Sequence, residues 1–258
     1  MDSVEYHGKR YVLVALVAVG GNDFMISVQD NVAEVQERIA SAAVKSGRQP
    51  EDVTLVAVTK TVPPEKIQEA LAAGIRHIGE NRVQEAVAKA KEMKPGATWH
   101  LIGHLQRNKA KLAIQTFDMI HSLDSIRLAK ALQKRAEEYD KTIKCLVQVN
   151  VTGETTKYGV SPDRLMSLLK KVSLLERLNV RGLMTIAPYT DNPELLRPVF
   201  RRLRELAREA EKLKLPGVNM TELSMGMSGD FEIAIEEGAT MVRVGTAIFG
   251  ARSRSETK

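Results

Sequence analysis

Residues 54–60, "TLVAVTK", form an apolar and β-branched run that stops on a lysine. The composition is that of a buried strand, ended by a side chain poorly suited to burial. Seven further short apolar runs follow, at 76–79, 98–102, 119–122, 144–150, 180–184, 222–224 and 240–244. Between them the periodicity predicts helices over 64–73, 82–92, 108–116, 125–139, 161–175, 194–214 and 230–237, with one more over 31–46 ahead of the first strand. Strict alternation of strand and helix implies parallel pairing through right-handed crossovers, and eight units is the number that closes a (β/α)8 barrel. The expected fold class is α/β, a single TIM barrel preceded by an amino-terminal helix.

At 258 residues and 43% hydrophobic content the chain can bury one large core, and no linker supports a two-domain reading. A net charge of +6 would suit an anionic ligand. The basic residues are scattered, however. In "RPVFRRLRELAREAEKLKL", residues 197–215, Val199, Phe200, Leu203, Leu206, Ala207, Ala210 and Leu213 recur at helical spacing with the charges opposite, which is a solvated amphipathic helix. With only 4% aromatic residues, no nucleic-acid partner is expected. The single cysteine, Cys145, lies in the strand-like "KCLVQVN" and is read as a packing residue of a cytoplasmic protein. The run "YVLVALVAVGG", residues 11–21, is too short to span a membrane, and Asp2 and Glu5 dilute the basic start that a signal peptide needs. Met25 opens a well-formed first helix, so residues 1–24 are expected to be a disordered or non-native extension and 25–258 the barrel domain, acting as a monomer away from membranes.

In such barrels the chemistry sits at the carboxyl ends of the strands. Lys60 ends the first. A lysine held out of water loses its preference for the charged form, which frees an amine for Schiff-base chemistry. Glu80 and Asn81, Gly103 and His104, Asn150, and Thr185 end later strands. The loops "SMGMSGD" (224–230) and "VGT" (244–246) bring Ser224, Gly226, Ser228, Gly229, Gly245 and Thr246, whose hydroxyls and exposed N–H groups suit a phosphate. A glycine-rich loop alone is a weak signal; a lysine on the same rim strengthens it. Pyridoxal 5'-phosphate needs both. Arg243 points to the same side as Gly245 and suits the pyridine nitrogen. An arginine there keeps its own proton, donates to a neutral ring nitrogen and weakens the ring as an electron sink. A salt bridge within the rim is the other open reading of Arg243. His100 and His104 have the spacing of a helical zinc pair, but they fall on a strand with no third ligand, so no metal is expected.

The stretches "LVAVTK" (55–60), "HIGENRVQEA" (77–86), "WHLIGHLQRNKAK" (99–111), "VNVTGETTKYGV" (149–160), "GLMTIAP" (182–188) and "LSMGMSGDFEIAIEEGATMVRVGTAIFGAR" (223–252) closely resemble the YggS/PROSC family of pyridoxal phosphate homeostasis proteins. The resemblance covers residues 31–252 and implies the barrel of the alanine racemase amino-terminal domain. It also implies that Lys60 carries the Schiff base, that Asn81 lies beside the cofactor, that Ser224, Met225, Gly226, Gly245 and Thr246 surround the phosphate, and that Arg243 meets the pyridine nitrogen.

Two functions follow from that family. A two-base racemase needs an acid-base group on each face of the cofactor, and in alanine racemase the second face is served by a tyrosine from a carboxyl-terminal domain. This chain ends nine residues after Phe249, so no such domain is expected. Tyr158 and Tyr189, on loops after strands five and six, are the possible substitutes. The preferred expectation is a carrier in intracellular pyridoxal phosphate homeostasis, holding the cofactor on Lys60 and releasing it to apoenzymes met transiently. The alternative is a weak racemase or lyase. Lys157, in "ETTKYG" (154–159), is read either as a second amine for handing the cofactor on or as a solvated loop lysine.

Overall fold

The computed structural model describes residues 3–6, 9–12, 27–190 and 192–250. Two short strands, β1 (Ser3–Tyr6) and β2 (Lys9–Val12), pair antiparallel within the expected extension, whose other residues lie outside the described ones, as does Met25. The domain then runs α1 (Val28–Lys45), β3 (Thr54–Val58), α2 (Pro64–Ala72), β4 (His77–Glu80), α3 (Val83–Glu92), β5 (Thr98–Leu101), α4 (Ala110–Thr116), β6 (Met119–Leu123), α5 (Ile126–Glu138) and β7 (Ile143–Gln148). It continues with α6 (Pro162–Val172), β8 (Leu178–Met184), α7 (Pro193–Glu211), β9 (Val218–Ser224), α8 (Phe231–Glu236), β10 (Met241–Val244) and α9 (Thr246–Phe249). Strands β3 to β10 form one closed parallel barrel, sealed where β10 pairs with both β3 and β9.

The eighth unit ends in a helix of four residues, too short to cover its strand. Helix α1 covers the seam instead. Ser27 and Asp30 cap it reciprocally, and Val32, Val35, Ile39, Ala42 and Ala43 form its buried stripe. Asn31 Nδ2 donates to Ile248 O at 2.9 Å, and Arg38 and Lys45 pair with Glu232 and Glu236 of α8. Strand β9 begins at Val218, four residues before the expected 222, because Asn219 and Thr221 interrupt the apolar run with outward polar side chains.

The main core lies between the barrel and its helices, and includes Phe200, Phe231, Ile78 and Leu132. Cys145 packs there, and burial pushes its thiol up to about 12, as suits a packing residue. A separate cluster of Met119, Leu146, Met184 and Met241 is joined by the partly buried Ile186. Among the described residues no helix is long and apolar enough to cross a membrane.

Candidate functional site

Strand β3 ends at Val58, and Lys60 follows on a turn, half-buried. Its backbone is clamped on both sides. Thr59 turns outward: its Oγ1 donates to Glu80 Oε1 at 2.6 Å, and its carbonyl accepts from Lys89 Nζ at 2.6 Å. Thr61 takes a left-handed φ of 61°, unusual for a β-branched residue, and its N–H donates to Glu85 Oε1 at 2.5 Å. Lys89 Nζ also reaches Glu80 and Glu85, each at 2.7 Å. Val58, the last residue of the strand, packs against Gly245, where a Cβ would lie 3.3 Å from its own, so the Lys60 turn leaves β3 beside the end of β10. Glu80 is fully buried with Oε2 unpartnered among the described residues. Burial raises its carboxyl above the ordinary range, against the pull of Lys89 and Thr59.

On the strand next to β3, Arg243 is buried near the end of β10. Its Nη1 donates to Ser224 Oγ at 2.6 Å and its Nη2 to the Thr185 carbonyl at 2.8 Å. A guanidinium has five N–H donors, so three remain. The sequence left a rim salt bridge open; instead these two bonds go to a hydroxyl and a carbonyl. Burial lowers its pKa to about 10, with Asp230 opposing the shift, so it stays charged at neutral pH. Behind Ser224 runs a row of histidines that no local motif announces. His121 Nδ1 lies 3.0 Å from Ser224 Oγ, His121 Nε2 2.8 Å from His100 Nδ1, and His100 Nε2 3.0 Å from His77 Nδ1. Burial drives all three below their ordinary pKa, His100 to about 3. They are neutral at pH 7.

The loop after β9 presents backbone N–H groups at the same end of the barrel. Gly226 is buried, and its N–H has no acceptor among the described residues; the same holds for the N–H groups of Ser228 and Gly229, and nothing lies near the Cβ position of Gly229. The following α8 is only six residues long, so the donors this loop offers are its own N–H groups rather than a long helix dipole. The Gly245 N–H is taken by Ser228 Oγ at 3.1 Å, and Ser224 Oγ is committed to Arg243 and His121. Met225 is buried and Thr246 exposed at the start of α9. Gly226 has φ +92°, and a Cβ there would come within 2.6 Å of Ala234 Cβ and 2.9 Å of Phe231 Cα. Gly226→Ala is expected to cost about 1–3 kcal/mol from backbone strain alone. It should also weaken binding of a phosphate-bearing ligand, read by a lowered melting temperature and a raised Kd.

Asn81, half-buried just past β4, lines a cavity of about 470 Å³ with Arg82, Gln106, Lys109 and Tyr158. Gly103 permits this: a Cβ there would lie 2.3 Å from the Asn81 carbonyl oxygen. His104 lines this cavity and a neighbouring one of about 670 Å³, stacks on Tyr158 with ring centroids 3.8 Å apart, and approaches Asp124 at 3.5 Å. His100 and His104 thus belong to different surroundings. Tyr189 is fully exposed and Tyr158 is 57% exposed. Lys157 Nζ is held by Glu154 Oε1 at 2.7 Å.

The family model described as alanine racemase, N-terminal domain, matches residues 25–253. The pyridoxal phosphate homeostasis protein of Aquifex aeolicus is 46% identical over 224 residues, covering 86% of this chain and 97% of that protein. The protein of the same description from Escherichia coli K12 is 41% identical over 237 residues, covering 90% of this chain and 100% of its own. PipY from Synechococcus elongatus, solved with PLP bound, superposes with a TM-score of 0.74 at 44% identity, covering 84% of this chain and 100% of that one.

Proposed function

The chain belongs to the alanine racemase N-terminal-domain family and, within it, to the pyridoxal phosphate homeostasis proteins; on that premise we propose that it binds pyridoxal 5'-phosphate on Lys60 and releases it to apoenzymes in the cytoplasm. When bound, the cofactor supplies a conjugated aldehyde that an amine captures reversibly. Lys60 is the amine, carried on a turn that its neighbours hold rigid. Gly226 and its loop donate to the phosphate, Met225, Gly245, Thr246 and Ser224 shape that end of the site, and Asn81 borders the ring.

The observation that carries the carrier reading is Arg243. Its buried guanidinium donates to Ser224 and Thr185 and has N–H groups to spare for a ring nitrogen. A donor that keeps its proton leaves the ring nitrogen neutral, so charge developing on a substrate carbon finds little stabilisation. Retention is served without turnover. The exposed Tyr189 and the His104-stacked Tyr158 are poor candidates for a buried second base, which disfavours the racemase alternative.

The test is to load the chain with pyridoxal phosphate and present it to an apoenzyme that needs the cofactor, while amino acids are incubated with the loaded chain in deuterated water. Recovery of apoenzyme activity without exchange of any α-hydrogen is the expected result. Exchange at a catalytic rate would replace the carrier with the racemase or lyase.

A further inference from the structure

Three neutral histidines in a row inside a barrel have a consequence for the cofactor site, because every link between them is a hydrogen bond whose direction can be worked out. An arginine only donates, so Ser224 Oγ accepts from Arg243 Nη1. The Ser224 hydroxyl is fully buried, and its own hydrogen has one acceptor in reach among the described residues, His121 Nδ1. Turning that bond round would leave a buried hydroxyl hydrogen unpaired, the costly arrangement. His121 therefore carries its proton on Nε2 and donates to His100 Nδ1. His100 in turn carries its proton on Nε2 and donates to His77 Nδ1. One fixed cation thus sets the tautomer of three rings on three successive strands, ending at half-buried His77 at the start of β4.

We propose that His121, His100 and His77 are positioning residues for the ring-nitrogen end of the cofactor site: a one-directional chain of hydrogen bonds that locks the Ser224 hydroxyl and, through it, the aim of Arg243. The chain explains why buried polar side chains occupy positions that could have been filled with aliphatic ones. A partly satisfied buried network is worse than an apolar filling, so the chain holds only as a complete unit. This inference rests on the reading of Arg243 as the ring-nitrogen partner.

The test has one arm without cofactor and one with it. Nitrogen NMR of the histidine rings in the native chain is expected to show Nε2–H tautomers at all three positions, and Ser224→Ala to give mixed tautomers as far as His77. Mixed tautomers in the native chain, or none of this change in Ser224→Ala, would overturn the chain. In the second arm, Kd is measured for pyridoxal phosphate and for its analogue with carbon in place of the ring nitrogen. The native chain should prefer the natural cofactor by about tenfold or more, the scale of one hydrogen bond from a charged donor. In His121→Leu and Ser224→Ala that preference should shrink severalfold; a preference unchanged in Ser224→Ala counts against the proposal. If the native chain binds neither compound, the cofactor reading fails while the tautomer measurement still stands.

Discussion

Lys60→Ala should abolish the visible absorbance that the native chain acquires with pyridoxal phosphate, and no other lysine should restore it. The expectation of complete loss comes from where the nearby amines are held. Lys89 lies against the Lys60 turn, but its Nζ is saturated by the Thr59 carbonyl and the carboxylates of Glu80 and Glu85. A buried ammonium held in that way is not a free nucleophile. Lys157 is paired with Glu154 on the loop after β7. The N–H groups around Gly226, proposed to hold the phosphate, are untouched by the substitution, so Lys60→Ala should still bind the cofactor, more weakly and reversibly by simple dialysis. An absorbance titration of both proteins, with circular dichroism to verify folding, makes the measurement. A full-strength visible band in Lys60→Ala would mean that another amine is the partner and would remove the centre of the proposed function.

The barrel was legible because parallel strands buried on both faces read as short apolar runs, and eight of them punctuated by amphipathic helices leave few topologies. The same logic hid the beginning of β9, where exposed Asn219 and Thr221 break the run. Lys60 and Arg243 stand out in the sequence because a charge at the end of a buried strand is conspicuous. The histidine chain does not, since His77, His100 and His121 are distant in sequence and become neighbours only through the register of β4, β5 and β6. A signal was present nevertheless: three successive strands each carry one histidine. Local pattern likewise missed that Ser224 serves Arg243 through its hydroxyl, because a serine in a glycine-rich loop reads first as a phosphate donor.

The clamp around Lys60 carries the largest stability consequence. Lys89→Met keeps the aliphatic stem and removes the charge, which leaves Glu80 fully buried with its cation gone and Oε2 already unpartnered. Breaking a buried pair from one side costs about 3–5 kcal/mol, most of it the cost of the charge left behind. The pH dependence should identify that charge. In the native chain burial already raises the Glu80 carboxyl above its ordinary 4.5, with Lys89 and Thr59 pulling it down. Without Lys89 the folded-state value rises further, so the folded variant binds a proton more tightly than the unfolded chain does. Stability is then present at low pH and lost as pH rises from about the unfolded value through the folded one. Urea midpoints of Lys89→Met should therefore lie closest to native near pH 5 and fall furthest behind at pH 8. Adding Glu80→Gln, which removes the stranded charge, should recover much of the loss at pH 8 and little at pH 5. Because Lys89 also holds the Thr59 carbonyl, the double variant should regain stability without regaining native cofactor affinity: the fold tolerates a neutral pair there, whereas the Lys60 turn loses one of its anchors. Equal losses at both pH values would assign the defect to packing of the lysine stem, and a double variant with native affinity would show that the turn holds its shape without the clamp.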